Sequence, residues 1–293
     1  MPHIDRPDGA RIHYQEQGRG PAVLLLAPGG PVGEISDWRH APVDPTATLA
    51  ERFRVIAVDQ RHAGPSRGPL APYDHQVAAA DLLAVLDALG VGTAAVVAAG
   101  ASTTTAWRLA HDAPQRIGAV VALAPVGLDD SNSLGDFFGL FDAAMRLPRA
   151  AFFDDPESEG MAAVVEAARR DGSFASNPAA GPYARPLAED PDFAGQVLAL
   201  RREKYVTALV RFRDGQWPAG RAFFSVPDEW LAGADLPVLV LPGDDRLSPP
   251  GAAKRLATDL PNATLADAGW SAPDRRARTA TEIAEFLTAQ NPN

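Results

Sequence analysis

The chain of 293 residues contains no cysteine, which excludes disulfides, thiolate nucleophiles and Cys-ligated metals whatever redox compartment it occupies. Histidine is scarce and runs out early. The six are His3, His13, His40, His62, His75 and His111, and none follows. No apolar run approaches the ~20 residues of a membrane-spanning helix. The opening MPHIDRPDGARIHYQEQG carries charge where a secretory signal would be apolar, so the chain reads as cytoplasmic, with no membrane partner. A cationic surplus is missing as well: 27 Lys and Arg face 37 Asp and Glu, a net charge of −10. Such a surface repels phosphate backbones, and nucleic acid is not an expected partner.

What is present describes an ordinary globular chain, 46% hydrophobic and 22% charged, long enough for one large α/β domain or two small ones. Short apolar runs at 22–26, 54–58, 94–98, 119–123, 237–241 and 263–266 predict strands, with an edge strand at 10–18. Helical spacing over 76–89, 102–110, 251–260 and 275–287 falls between or after them. This alternation predicts a mostly parallel sheet with helices on both faces. Between about 129 and 228 the rhythm breaks into helical stretches at 134–147, 160–170 and 193–211. The expected organisation is therefore a core of residues 1–128 and 229–293 with a helical cap at 129–228. Ten of the 12 Phe lie in that cap (Phe137, Phe138, Phe141, Phe152, Phe153, Phe174, Phe193, Phe212, Phe223, Phe224), as does Tyr205. Many must pack the cap, and some are expected to roof an apolar cavity over the sheet, with Phe137, Phe141 and Tyr205 as candidates.

Ligands of open α/β sheets sit beyond the carboxyl ends of the strands. The loops leaving the strands here are LLLAPGGPVG with Gly29 and Gly30, VDQRHAGPS, AAGAS opening a helix, LPGDDRLSPP and DAGWSAP. Together they resemble the α/β-hydrolase superfamily over nearly the whole chain. LLLAPGGP and VDQRHAGPS are most similar to the HGGPG and DQRGxGxS segments of the prolyl-iminopeptidase-like branch. The resemblance implies a nucleophile elbow, G-x-S-x-G, followed in chain order by an acid and a histidine. It places Gly100 at the nucleophile, Asp245 rather than Asp244 at the acid, and Trp270 at the histidine. With no Cys and no late His, a Ser/Cys-His-Asp relay in that order cannot be assembled.

The N–H of Ala101, with one from Gly29 or Gly30, would still form an anion hole worth ~3 to 4 kcal/mol on a developing oxyanion. The resulting expectation is a non-hydrolytic enzyme acting on an apolar aromatic or polyketide-like carbonyl compound by cyclisation, conjugate addition, elimination or another proton transfer. It would need no cofactor and no metal. Asp245 is the expected acid/base group, and Trp38, Ser102 and Trp270 are expected at the substrate, with Trp270 either plugging the vacated space or stacking on the ligand. One alternative is a small-molecule receptor or carrier. A second is an atypical hydrolase using Ser102 with a base borrowed from His62 or His40, although a hydroxyl in the first turn of a helix is ordinarily a capping or helix-face group. Asp59 and Arg61 are expected to brace their turn, and Arg275, Arg276 and Arg278 to form a solvated helix face. A homodimer stays open.

Overall fold

A computed structural model describes residues 1–140, 161–170 and 181–290 of the chain. The chain opens with β1 (His3–Asp5), β2 (Arg11–Gln17) and β3 (Ala22–Leu26), then α1 (Thr46–Ala50) and β4 (Arg54–Val58). Next come α2 (His75–Ala88), β5 (Ala94–Ala99), α3 (Ser102–Asp112) and β6 (Ile117–Leu123). The insert contributes α4 (Leu134–Gly139), α5 (Ala162–Arg170), α6 (Ala184–Glu189), α7 (Pro191–Leu198), α8 (Arg202–Gln216) and α9 (Asp228–Gly233). The chain then returns to the sheet through β7 (Val238–Leu241), α10 (Pro250–Asp259), β8 (Ala263–Leu265) and α11 (Arg276–Ala289).

The eight strands lie in the order β1-β2-β4-β3-β5-β6-β7-β8. Pairing is antiparallel at β1–β2 and β2–β4 and parallel elsewhere. Strands covered on both faces have no polar side to show, which is why AAVVAA of β5 and VLVL of β7 are buried at every residue. Alternation along β3 divides the core in two: Leu24 and Leu26 join Leu82 and Val85 of α2, Trp107 of α3 and Leu256 of α10. Val23 and Leu25 instead meet Leu49 of α1 and Ile283 and Leu287 of α11. The strand ends at Leu26, Val58, Ala99 and Leu241 are thereby fixed, and the loops that leave them converge on one edge of the sheet.

Two expectations need adjustment. Residues 10–18 are not the outer edge, because β1 pairs outside β2 in the register His3↔His13; three residues are too few to display a period. The helix expected over 193–211 is two helices. Asp190 caps α7 by accepting from the N–H groups of Asp192 and Phe193, and α8 starts anew after the extended Arg201. Ala199, Leu200 and Arg201 include neither Gly nor Pro, so nothing in the spacing marks that break. Of the helix expected over 134–147, the described part is α4. No helix among the described residues is long and apolar enough to cross a membrane.

Candidate functional site

β5 runs into α3 through Gly100, whose φ of +55° is left-handed and whose N–H donates to the carbonyl of Leu123 at 2.8 Å. This is a strand–turn–helix elbow without a side chain at its apex. A Cβ at Gly100 would meet no atom within 4 Å, so backbone conformation, and not crowding, is what favours glycine there.

Ser102, two residues on, is fully buried. Its Oγ donates to the carbonyl of Ala27 at 2.5 Å and accepts from the N–H of Gly30 at 3.1 Å. The hydroxyl therefore ties α3 to the loop leaving β3, and neither His40 nor His62 bonds to it. Ser102→Ala should cost about 1–3 kcal/mol, the usual penalty for stranding buried hydrogen-bond partners. Urea denaturation should record that loss, while ester turnover stays at the buffer rate; a variant as stable as the parent would contradict the tie.

The same bond corrects the expected anion hole, because the Gly30 N–H is spent on Ser102. Gly30 is also pressed against the elbow, where a Cβ would lie 2.9 Å from the Ala101 methyl. The N–H groups left are those of Gly29 and of Ala101 just ahead of α3, neither of which donates a hydrogen bond within the protein.

The acid and histidine positions are equally committed. Asp244 and Asp245 are exposed, and Asp245 Oδ1 accepts from the N–H groups of Leu247 and Ser248, both at 2.8 Å, closing the loop after β7. Trp270 is 3% exposed and lies in the apolar core with Trp38, Leu123, Leu241 and Ile283. Its ring N–H donates to the Pro242 carbonyl at 2.7 Å, and its own carbonyl accepts from Thr279 Oγ1 at 2.8 Å. The indole is thus a plug and not a stacking platform, and it offers no apolar cover to the solvent-facing Asp245. Trp38, expected at the substrate, is buried in that same core.

The aromatic residues of the insert pack mainly on one another. Phe137 lies 4.9 Å from Trp217 and 4.6 Å from Phe224, centroid to centroid, in a cluster with Tyr73 and Phe212. Tyr205 joins Tyr183, Phe193 and Leu209 in another. Phe141 falls outside the described residues. The expected apolar roof is accordingly, as far as it is described, a pair of filled cores.

A pocket of about 630 Å³ opens beside these elements, where the loops after β3 and β4 meet the start of α6. Its wall includes Pro28, Gly29, Val32, Glu34, Asp37, Arg39, His40, His62 and Arg185. Charged side chains share this wall with Pro28, Val32, Ala41, Pro42 and Pro182, so the cavity is mixed in character and is not roofed by the aromatic residues expected there. Glu34 pairs with Arg185, accepts from Ser36 Oγ, and takes the Gly64 N–H at 3.1 Å. Burial works against its charge, but these donors outweigh it and hold the carboxyl below its ordinary range. Asp37 is shifted the other way: burial pushes it up, helped by the charge of Glu34 and opposed by the Glu34 N–H that it accepts at 2.9 Å. His62 replaces a glycine of the DQRGxGxS pattern and keeps the left-handed backbone, φ +62°. Its ring packs edge-on to Tyr183 and Phe193. Burial, reinforced by the charges of Arg61 and Arg67, lowers its pKa to about 3, so it is a neutral imidazole.

Asp59 and Arg61 spend their side chains on bracing. Asp59 meets His13 Nδ1 at 2.5 Å and accepts from the Ile35 N–H at 2.6 Å. Arg61 is held by Asp81 at 2.5 Å and Asp8 at 2.7 Å. Among the described residues, no three His, Cys, Asp or Glu side chains are grouped to hold a metal ion.

The family model describing the alpha/beta hydrolase fold matches residues 22–271. The chain belongs to the α/β-hydrolase family. It is 28% identical over 264 residues to the dihydrolipoyllysine-residue acetyltransferase component of an acetoin cleaving system from Cupriavidus necator, covering 89% of this chain and only 62% of that protein. A putative carbamate hydrolase, RutD, from Azorhizobium caulinodans is 26% identical over 292 residues, 98% of this chain and 97% of its own length. Among solved structures, the enol-lactonase of Burkholderia xenovorans LB400 superposes with a TM-score of 0.60 at 22% identity, covering 98% of this chain and all of the other. Gly100 and Trp270, which the resemblance sets at the nucleophile and histidine positions, could be picked out from the sequence. Glu34, Asp37 and Arg185 were not singled out, because residues 34 and 185 meet only in the folded chain; the signal that was available lay in His62, a bulky residue at a glycine position.

Proposed function

We propose that this α/β-hydrolase-family protein is non-hydrolytic, and that it binds a small carbonyl compound beside the elbow and promotes proton transfer on it without an acyl-enzyme. The observation that carries this reading is the occupancy of the three triad positions. Position 100 has no side chain, position 245 is an exposed turn acceptor, and position 270 is a core indole whose N–H is already bonded. Nucleophilic catalysis needs a nucleophile within hydrogen-bond reach of a base, and neither group is there. The unspent N–H of Ala101, just ahead of α3, suits polarisation of a carbonyl without attack on it. Asp37, half-buried in the pocket wall with its carboxyl pushed up, is a better-placed acid/base group than Asp245. The mixed wall, with Glu34, Asp37, Arg39 and Arg185 beside Pro28, Val32 and Pro42, favours a ligand with more polar groups than the mostly apolar carbonyl compound expected from the sequence.

Purified protein should hydrolyse p-nitrophenyl acetate no faster than buffer, and serine-directed phosphonates should leave its intact mass unchanged. Saturable turnover abolished by Ser102→Ala would overturn the reading. A receptor or carrier that returns its ligand unchanged is favoured by one specific feature, the commitment of Asp245 to its own loop. Incubating captured ligand with the protein and recovering it chemically unaltered would select that second reading.

A further inference from the structure

Both acidic groups of the pocket wall accept hydrogen bonds from within the wall. Glu34 has Arg185, Ser36 and the Gly64 N–H, and Asp37 Oδ2 takes the Glu34 N–H. The basic and donor groups are not all occupied. Arg39, which is exposed, makes no ion pair among the described residues, although its charge acts on nearby Asp37; its one hydrogen bond runs from Nε to His40 Nε2 at 3.0 Å, a contact that requires His40 to act as acceptor. Among the described residues the N–H of Gly29, which lines the same wall, donates to nothing. Pro28, Val32, Pro42 and Pro182 supply apolar surface between these donors.

We propose that this pocket is a carboxylate-binding site, in which Arg39 and the Gly29 N–H receive the acid group of a small molecule whose apolar body lies along Pro28, Val32, Pro42 and Pro182. The inference rests on the reading of the protein as a non-hydrolytic handler of a small ligand, and it names that ligand's class. A volume of about 630 Å³ accommodates a molecule of that size. A guanidinium is suited to the role because its planar donor fork matches a carboxylate. The neighbouring His62 ring is uncharged, so it adds hydrogen-bonding surface to the wall and no competing cation.

Calorimetric titration of the full chain with phenylacetate and with its neutral counterpart phenylacetamide, at neutral pH and physiological salt, tests the proposal. Phenylacetate should bind saturably with an affinity in the millimolar range or tighter, and the amide roughly tenfold more weakly or worse, as a charge-assisted contact implies. Arg39→Gln, an exposed substitution that should leave thermal unfolding unchanged, should bring phenylacetate down to the level of the amide. Absence of saturable binding, equal affinity for acid and amide, or an unaltered affinity in Arg39→Gln would each overturn it. The titration reads equilibrium binding alone, so ester turnover in a parallel assay would overturn the non-hydrolytic reading without touching this result.

Discussion

Acidification from pH 6.5 to pH 4 is expected to cost the protein several kcal/mol of conformational stability, with two buried histidines as a principal cause. His62 is lowered to about 3, by burial first and then by the charges of Arg61 and Arg67. His75 is lowered to about 4, again by burial, against the opposing pull of its 2.9 Å bond to the Gln216 carbonyl. In the unfolded chain both would take up a proton near pH 6.5. Between that pH and the folded values, the unfolded state holds more protons than the folded one, so stability falls as pH falls. Each histidine contributes about 1.4 kcal/mol per pH unit in that window, and together they take roughly 5 kcal/mol or more by pH 4. That is comparable with the whole stability of many domains. Asp37 and Asp59 act in the opposite sense, because burial raises both, and protonating them in the folded state offsets part of the slope. Urea midpoints at pH 7, 6 and 5 should fall steeply. His62→Gly removes one titration and suits the left-handed backbone, while His75→Gln removes the other; each should flatten the slope by about 1.4 kcal/mol per unit. A profile level from pH 6.5 to 4.5, or variants with the parental slope, would refute the assignment.

The second large effect concerns an attempt to rebuild an esterase. Gly100→Ser with Trp270→His restores the residue types of a triad, yet the expected product is a weakened protein with background ester turnover. The serine itself fits, since space at position 100 is open and only the left-handed φ of +55° counts against it, at about 1–2 kcal/mol. Trp270 is the obstacle. Replacing a buried indole with imidazole opens a cavity in the core shared with Leu241 and Ile283, and the Pro242 carbonyl loses the ring N–H it accepts. A loss of roughly 2–4 kcal/mol follows from the cavity alone. Nor would the new imidazole find an orienting acid, because Asp245 is exposed and its Oδ1 already serves Leu247 and Ser248. Gly100→Ser alone should be nearly as inactive and far more stable. Saturable p-nitrophenyl acetate turnover in the double variant, well above both single variants, would show that triad geometry had survived the exchange of residues.

The sheet was readable because its buried strands are continuous apolar runs, and 22–26, 54–58 and 119–123 fall within or on β3, β4 and β6. That no histidine follows His111 was readable because absence needs only the sequence. What the side chains at the strand ends do was not readable. Whether Ser102 faces a ligand or a carbonyl depends on where the β3 loop folds back, and it folds back onto Ser102 itself. Whether Trp270 stacks or plugs depends on a single acceptor, the Pro242 carbonyl, 28 residues away along the chain. The charged pocket joins residues 28–42 to 181–185, and the Glu34–Arg185 pair spans 151 positions that no local pattern links. Aromatic content was a poor guide to purpose, since rings such as Phe137, Trp217 and Phe224 pack against one another and not around a ligand space.

Gly100 and Trp270 also differ in how readily each could be exchanged. A glycine codon becomes a serine codon through a single base, and the unobstructed space above the elbow would admit the new side chain at once. Tryptophan and histidine codons differ at every base, and the intermediate residues would each have to occupy a core site shaped around an indole. Exchange at position 100 therefore meets only the cost of a left-handed backbone, whereas exchange at position 270 must also refill the space of a buried indole, so the core, and not the elbow, sets how far this site can vary.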